Sequence, residues 1–218
     1  MLKCENTRVY NFMGAIRGMR NSWGSHEKMD SYYDEQAFLI HHANFEGFLL
    51  GENDKKLALK LILAEGNSHS KFLRQILVSV DITAGNEWWK HADTYKVGVT
   101  TNSTSAMHVL GKRLLTPDDF SFDRPLSYIA RMQIDAANLA IEQWWESGKK
   151  QGSKEWRDMQ KAIPMGFIYT RHTTLNYQVL RSMYFDRKNH RLAEWHEFCQ
   201  WVESLPYSEL ITVSKSKK

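Results

Sequence analysis

Residues 163–194 carry the pattern that decides how this chain is interpreted: IPMGFIYTRHTTLNYQVLRSMYFDRKNHRLAE. Apolar residues recur at helical spacing through the second half of this stretch and beyond it, so residues 175–202 are predicted to form one helix. Its candidate inward positions are Leu175, Val179, Met183, Leu192, Trp195 and Cys199.

On such a helix Arg187, His190, Arg191 and Glu194 share a face, because they are three or four residues apart. A cation, an imidazole and a carboxylate on one face could hold an anionic heterocycle, and the planar fork of an arginine suits a phosphate or the carbonyl edge of a pyrimidine. The alternative is an exposed helix with ordinary salt bridges.

Outside this stretch the chain is predicted to be mostly helical around a small sheet. Residues 76–83 (ILVSVDIT) are β-branched and alternate, which predicts a strand. A short aromatic helix follows it, and residues 92–106, rich in Thr, Ser, Gly and Asn, are predicted to be loop. Helices are predicted over residues 12–23, 34–50, 54–64 and 125–145. The last of these carries one stripe at helical spacing: Ile129, Met132, Ala136, Leu139 and Gln143.

Length and charge are those of an ordinary globular protein. The chain has 218 residues, 42% hydrophobic and 25% charged, with a formal net charge of +4. Residues 214–218 supply three of the positive charges, so we expect a single domain over residues 1–213 followed by a basic tail. Without the tail the positive excess almost disappears, so the charge gives little support to nucleic-acid binding.

Cysteine content and hydropathy indicate the cellular compartment. Cys4 and Cys199 could pair, but two thiols in a chain of this size are more typical of a reducing compartment. No apolar run is long enough to span a bilayer and the N-terminus lacks the apolar core of a signal peptide, so the expected location is the cytoplasm. The histidines and cysteines lack metal-ligand spacing, and no metal site is predicted.

The motifs of residues 163–194 resemble the C-terminal block of the flavin-dependent thymidylate synthases. In that family Leu-Pro leads to an aromatic stretch, Thr-Val-Asn, and then an Arg, a His and a Glu on one long helix. The matching residues here are Ile163-Pro164, Tyr169-Thr170-Arg171, Thr174-Leu175-Asn176, Leu180, Arg187, His190 and Glu194. The intervals agree except that the gap from Arg187 to His190 is one residue shorter.

Four short upstream blocks are similar to family segments and follow in the same order. They are residues 16–23 (IRGMRNSW), 69–72 (HSKF), 87–91 (EWWKH) and 102–105 (NSTS). The loop before Asn102 is longer than in the family. Order and spacing together, rather than any single block, carry the resemblance.

The resemblance implies an α+β fold, a mostly helical shell around a small antiparallel sheet, assembled as a homotetramer with shared active sites. It implies FAD as cofactor, with NADPH and methylenetetrahydrofolate as co-substrates. The implied reaction transfers and reduces a one-carbon unit at C5 of a pyrimidine nucleotide, dUMP or a related one, without a protein nucleophile.

The resemblance also implies roles for individual residues. Arg187 would contact the pyrimidine edge and, with His190, form the catalytic pair. The substrate-binding set would be Glu87, Lys90, Ser103, Ser105 and Arg187. The cofactor-binding set would be Ser22, Ser70, His91, Asn176 and His190. Local alternatives stay open: an ion pair of Arg187 with Asp186 or Glu194, loop solvation for the two serines of residues 102–105, and a helix cap for Asn176.

The chain departs from the family where anions would be held. Family arginines are replaced at Lys90, Ala92, Met107 and Gln160. Each lost charged hydrogen bond to a phosphate removes roughly 1.5–3 kcal/mol of binding, unless a nearby cation compensates. The candidates for compensation are Lys96, Lys112, Arg113 and Arg157. A non-catalytic nucleotide- or protein-binding homologue that keeps the oligomeric fold is therefore the competing hypothesis.

Overall fold

The computed structural model describes residues 2–34, 47–64 and 68–215. Its strands are β1 (Lys3–Tyr10), β2 (Tyr32–Tyr33), β3 (Phe48–Leu49), β4 (Leu77–Gly85), β5 (Thr100–Ser103) and β6 (Ile168–Asn176). Its helices are α1 (Phe12–Arg20), α2 (Glu52–Leu63), α3 (Asn86–Ala92), α4 (Ala106–Val109), α5 (Tyr128–Glu146), α6 (Lys154–Lys161), α7 (Tyr177–Arg187), α8 (Ala193–Glu203) and α9 (Glu209–Thr212).

A four-stranded antiparallel sheet with the strand order β1-β4-β6-β5 lies among these helices. Strand β4 shows the alternation that the sequence predicts: Val78, Val80 and Ile82 are buried, while the residues between them are partly exposed. Strands β2 and β3 form a separate antiparallel ribbon in which Tyr32 pairs with Leu49 and Tyr33 with Phe48. The predicted α+β architecture is confirmed.

The helix predicted over residues 175–202 is wrong as one element. Leu175 and Asn176 end β6, and the chain then forms α7 and, after five residues, α8. Helix α7 ends at Arg187, and the Nδ1 atom of His190 accepts a hydrogen bond from the Leu192 amide in the turn that follows. The apolar spacing continues across this turn, which is why periodicity alone does not reveal the break.

Other segments agree with the predictions to different degrees. Helices α1, α2 and α5 confirm three predicted helices within a few residues. Of the helix predicted over residues 34–50, residues 35–46 lie outside the described residues, and Phe48–Leu49 form β3 instead. The predicted loop over residues 92–106 contains β5.

Contacts among the described residues fall into two compact units. One comprises Met1–Leu2, Thr83–Thr94 and Asn102–Arg171, and the other Lys3–Ile82, Tyr95–Thr101 and His172–Lys218. We call them the first and second unit. The prediction of a single domain over residues 1–213 stays a prediction, as does that of a basic tail, of which 216–218 lie outside the described residues.

Each unit has its own core. In the first unit, Trp144 of α5 and Met159 of α6 pack in a cluster with seven further buried residues: Leu110, Leu115, Phe120, Ile134, Ala137, Ile141 and Phe167. In the second, Phe12 stacks on Phe48 at 5.3 Å and meets the edges of Tyr177 and Tyr207. Aromatic packing of this kind fixes the first turn of α7, and therefore the direction of the helix that ends at Arg187.

A buried ion pair ties α1 to α2 in the second unit. The Nε atom of Arg20 lies 2.5 Å from Oδ1 of Asp54, and the two residues are 3% and 0% exposed. The other carboxylate oxygen accepts hydrogen bonds from the amides of Asp30 and Ser31 and from the Ser31 hydroxyl. Arg20 also donates to the carbonyl of Ser25, so the pair holds the turn that carries Ser22.

No helix in the described part of the chain is long and apolar enough to cross a membrane.

Candidate functional site

Arg187 is the last residue of α7, and its guanidinium lies between two aromatic rings. Its Nε atom donates a 3.0 Å hydrogen bond to the hydroxyl of Tyr95. Its central carbon lies 5.5 Å from the centre of the Tyr95 ring and 5.0 Å from that of Trp195. Cation–π contacts of this kind restrict the guanidinium without using its terminal N–H groups.

Tyr95 belongs to the loop between α3 and β5. Its hydroxyl donates a 3.1 Å hydrogen bond to Asp186 while accepting from Arg187. Burial raises the pKa of the Tyr95 phenol, although the hydrogen bond from Arg187 lowers it. The raised pKa keeps the phenol protonated at neutral pH, and the phenol uses its one hydrogen in the bond to Asp186.

The alternative reading of Arg187, a surface ion pair, is not what the structure shows. Among the described residues, no carboxylate lies within ion-pair distance of its guanidinium, and its two Nη atoms have no hydrogen-bond acceptor. Asp186 is bonded to Tyr95 instead. A half-buried guanidinium with both Nη groups unengaged can donate two parallel hydrogen bonds to a planar ligand.

His190 lies in the turn between α7 and α8. The prediction that it shares one helix face with Arg187 is therefore wrong. Its backbone amide donates to the carbonyl of Arg187 at 2.8 Å, which keeps the two residues together. Its ring centre lies 6.2 Å from that of Trp195. Because Nδ1 accepts from the Leu192 amide, the ring proton is assigned to Nε2. Arg187 and His190 therefore meet at Trp195, although not on one helix.

The other candidate cofactor residues of the second unit differ in accessibility. Asn176 is buried and caps α7, its side-chain oxygen accepting from the Val179 amide at 3.0 Å. Ser70 is buried, and its hydroxyl donates to Gln178 at 3.1 Å. Ser22 is exposed in the 3-10 helix Asn21–Trp23. Of these three side chains, Ser22 is the most accessible to a large ligand.

In the first unit, Glu87, Lys90 and His91 all belong to α3. Glu87 accepts a 2.7 Å hydrogen bond from Ser121 through one oxygen, while its other oxygen is buried with no hydrogen-bond partner among the described residues. Lys90 is exposed and His91 is half-buried. A buried carboxylate oxygen without a donor is unusual and marks a place where a ligand or water would be bound.

Ser103 and Ser105 flank the start of α4. Ser103 ends β5 and donates to the neighbouring carbonyl of Thr104, while Ser105 is the residue before α4 and its side chain makes no cap hydrogen bond. A cavity of about 450 Å³ lies beside α8 in the second unit, and another of about 370 Å³ lies beside α4. The latter is lined by Met107, His108, Gln151, Gly152 and Trp156.

Two of the four compensating cations are used inside the chain. Arg113 forms a two-point ion pair with Asp119, and Arg157 donates to the carbonyl of Gly152. Lys96 and Lys112 are exposed. Gln160, at the position of a family arginine, has a buried amide nitrogen with no hydrogen-bond partner in the described part of the chain.

The sequence interpretation gave no role to two residues that the structure puts beside candidate residues. Tyr95 is one. Arg171 is the other: its guanidinium lies 4.1 Å from the Trp89 ring and pairs with Asp93 at 2.7 Å, both on or next to α3. In β6 Arg171 alternates with its exposed neighbours, and its side chain is only 15% exposed, so it shares a strand face with buried Thr173. Its polar neighbours gave no sign of this in the sequence.

The two cysteines are free, not paired. Burial, followed by the nearby carboxylate of Glu197, raises the pKa of the Cys4 thiol to about 12, and burial raises that of Cys199 to about 11. Both are therefore protonated at neutral pH and poor nucleophiles. Among residues 2–34, 47–64 and 68–215, no group of three potential ligands could hold a metal ion.

Comparison with solved structures shows what the fold is similar to. A thymidylate synthase X (ThyX) from Helicobacter pylori, solved with FAD and dUMP, matches with a TM-score of 0.70 and 15% identity over 97% of both chains. Another structure of that enzyme, described as flavin-dependent and also complexed with FAD and dUMP, matches at 0.69 and 14% over 97% of both chains. The chain therefore has the flavin-dependent thymidylate synthase fold.

A third structure widens the range of similar proteins. The UMP/dUMP methylase PolB from Streptomyces cacaoi, bound with 5-Br dUMP, matches with a TM-score of 0.59 and 15% identity, over 97% of this chain and 94% of that one. No protein-family model and no curated protein sequence matches the chain. At this identity the likeness establishes the fold and leaves activity to be argued from the residues.

Proposed function

We propose that this chain is a flavin-dependent enzyme that transfers and reduces a one-carbon unit at C5 of a pyrimidine nucleotide, dUMP or a close relative. The observation that carries the proposal is Arg187, whose two Nη groups have no acceptor in the described chain and which is clamped by Tyr95 and Trp195. Three structures with the same fold contain dUMP or 5-Br dUMP, which supports a pyrimidine nucleotide as ligand.

Arg187 would bind the carbonyl edge of the pyrimidine. Two parallel N–H donors in a partly dry site stabilise negative charge on a carbonyl oxygen, and such charge develops when C5 of the ring acts as the nucleophile. His190, held by its backbone to Arg187, would place its Nε2 proton near the same ligand. No cysteine is needed, in keeping with two protonated thiols.

The Ser103 and Ser105 hydroxyls, which the resemblance assigns to the nucleotide phosphate, would bind that phosphate. The side chain of Ser105, which makes no cap hydrogen bond, supports this assignment, and a cavity of about 370 Å³ lined by Met107 and His108 lies beside α4. Lys90 is an exposed cation on α3 that would add charge, and Glu87 supplies a buried oxygen for a donor group. Met107 in the cavity lining explains why we expect weaker phosphate binding than an arginine would give.

FAD is the cofactor that this assignment requires, and the residues fit it in part. Ser22 is exposed and His91 and His190 are half-buried, while Ser70 and Asn176 are buried and engaged inside the chain. When bound, the flavin would supply the hydride, with NADPH and methylenetetrahydrofolate as co-substrates. Ser70 and Asn176 would then shape the site through the segments that they fix.

Turnover is tested with dUMP tritiated at C5. Protein loaded with FAD and supplied with NADPH and methylenetetrahydrofolate should release tritium to water at a rate proportional to enzyme concentration. Omitting the folate gives the matched control. Tritium release that comes from exchange at C5 without methyl transfer would continue in the absence of folate. No release from UMP or dUMP by flavin-loaded protein would contradict the proposed reaction.

A non-catalytic nucleotide-binding homologue is the second candidate. It is favoured by the missing arginines at Ala92, Met107 and Gln160, and by the use of Arg113 and Arg157 inside the chain. It predicts that dUMP raises the melting temperature of flavin-free protein and that no tritium is released. Binding without flavin and without turnover would establish this candidate over the first.

We also propose that the chain forms a homo-oligomer, with α5 packing on α5 of a second copy. The stripe that the sequence singles out on this helix faces solvent: Ile129, Met132 and Leu139 are 62%, 50% and 55% exposed, and nearby Tyr128 is 75% exposed. These four side chains expose on the order of 500 Å² per copy, most of what each partner contributes to a standard interface. An antiparallel two-fold pairing would bring Met132 of one copy against Leu139 of the other.

Leu139→Glu should shift the protein to a smaller species in sedimentation velocity, because it buries a charge in this apolar interface. Gln133→Glu adds the same charge to an exposed position off the stripe and should leave the sedimentation coefficient unchanged. An unchanged coefficient for Leu139→Glu, or a wild-type monomer, would contradict the pairing.

A further inference from the structure

We infer that Tyr95 is a positioning residue that makes the site selective for a uracil over a cytosine nucleotide by fixing the orientation of the Arg187 guanidinium. The inference rests on the proposed function, since it takes Arg187 to be the residue that contacts the pyrimidine edge. It concerns a residue of the longer loop, which the resemblance to the family does not reach.

Residues 95–99 of the loop before β5 are held against both ends of α7. At the first turn, Gly98 adopts a φ of +78°, and a Cβ atom there would lie 2.8 Å from the amide nitrogen of Asn176, the cap of the helix. At the last turn, Tyr95 bonds to Arg187 and to Asp186. Two attachments along one helix give this short segment a defined position rather than that of a solvated loop.

The attachment to Arg187 fixes the roll of the guanidinium plane. The rings of Tyr95 and Trp195 restrict its faces, but they leave it free to rotate between them. The hydrogen bond from Nε to the Tyr95 hydroxyl removes that freedom and engages Nε alone, so both Nη groups remain for a ligand. The phenol hydroxyl donates its hydrogen bond to Asp186, so the phenol oxygen can act as the acceptor for Arg187.

A fixed guanidinium discriminates between two pyrimidines by chemistry alone. Uracil presents a carbonyl oxygen at C4, which accepts from an arginine, whereas cytosine presents an amino group, which is a donor. A donor facing a donor leaves both groups unpaired, and a rigid site cannot turn to avoid this. A guanidinium that rotates can reach the O2 carbonyl common to both bases, and the site then loses selectivity.

The test compares Tyr95→Phe with wild type in binding of dUMP and dCMP to FAD-loaded protein by calorimetry. Tyr95→Phe keeps the ring over the guanidinium and removes the hydroxyl. We expect about tenfold weaker dUMP binding, a dUMP-to-dCMP selectivity about tenfold lower, and unchanged FAD affinity and melting temperature. Tyr184→Phe is the matched control, because Tyr184 is on α7, the helix of Arg187, and its hydroxyl donates to Glu203 of α8 and not to Arg187.

Asp186→Asn provides a second variant that does not depend on how Tyr95→Phe folds. Asp186 is exposed, and an amide at this position can donate to the phenol oxygen and compete with Arg187. It should lower the dUMP-to-dCMP selectivity in the same direction, by a smaller factor.

The possible results separate the inference from the proposed function. Wild type that binds FAD and dUMP, with both variants equally selective, overturns the inference and leaves the function standing. A parallel loss of FAD, dUMP and dCMP binding with a lower melting temperature also overturns it, because Tyr95 is then a general structural residue. Wild type that binds no pyrimidine nucleotide overturns the proposed function and the inference with it.

Discussion

Arg187→Lys should weaken dUMP binding on the order of 100-fold while leaving the fold intact. Lysine keeps the positive charge but cannot donate two parallel hydrogen bonds, and each such bond from a charged donor is worth at least ~1.5 kcal/mol. It also cannot bond to Tyr95 while facing a ligand, since its donors share one nitrogen. Calorimetry on FAD-loaded protein measures the dissociation constant directly.

Arg191→Lys is the matched control for this effect. Arg191 lies in the turn after α7, four residues from Arg187, and is exposed. Net charge and residue type change identically in the two variants, so nonspecific attraction of the phosphate is the same in both. Equal dUMP affinity in the two variants would mean that Arg187 does not contact the nucleotide.

Asp54→Asn should destabilise the protein by about 3–5 kcal/mol, because it leaves the buried Arg20 cation without its counter-charge. The two carboxylate oxygens of Asp54 accept on one side from Arg20 and on the other from the amides of Asp30 and Ser31. Asparagine must present its NH₂ group to one of these donor sets. At 2–4 °C per kcal/mol, the melting temperature should fall by about 10 °C.

Lys55→Ala serves as the neighbouring control. Lys55 pairs with Glu209 at 2.7 Å, but both side chains are more than a third exposed, and such pairs contribute at most about 1 kcal/mol. A melting temperature for Asp54→Asn no lower than that for Lys55→Ala would contradict a structural role of the buried pair. Because Arg20 also holds Ser25, the Asp54 variant should weaken FAD binding through the Ser22 turn as well.

The sequence predicts the parts of the fold that rest on local chemistry. Strand β4 alternates cleanly, and the stripe of Ile129, Met132 and Leu139 marks α5 as a helix. Strand β1 escapes prediction because its exposed positions outnumber its single buried one. Strand β6 has no buried residue before Thr173 and two consecutive buried residues at its end, so neither strand has a strong two-residue pattern. The α5 stripe predicts the helix correctly but says nothing of what faces it, since Ile134 and Ile141 form a second, buried stripe.

The candidate site is less predictable because its contacts join distant residues. Spacing brings Arg187 and His190 together, and they are neighbours in the structure, but the break after α7 shows that the shared helix face was the wrong geometry. Tyr95 and Trp195 both contact Arg187. Tyr95 lies far from Arg187 in sequence and Trp195 lies close to it, and only the folded chain shows that they act together. Asn176 illustrates the reverse case, since the cap that a local argument suggested is present.

The visible absorption spectrum of the purified protein, recorded before and after addition of dUMP, tests the central claim most directly. Bound flavin gives visible bands, and a nucleotide placed against it perturbs them. We expect flavin bands in wild type, or after loading with FAD, and a saturable change on dUMP addition that needs on the order of 100-fold more dUMP in Arg187→Lys. A protein that stays colourless and cannot be loaded with FAD would contradict the account.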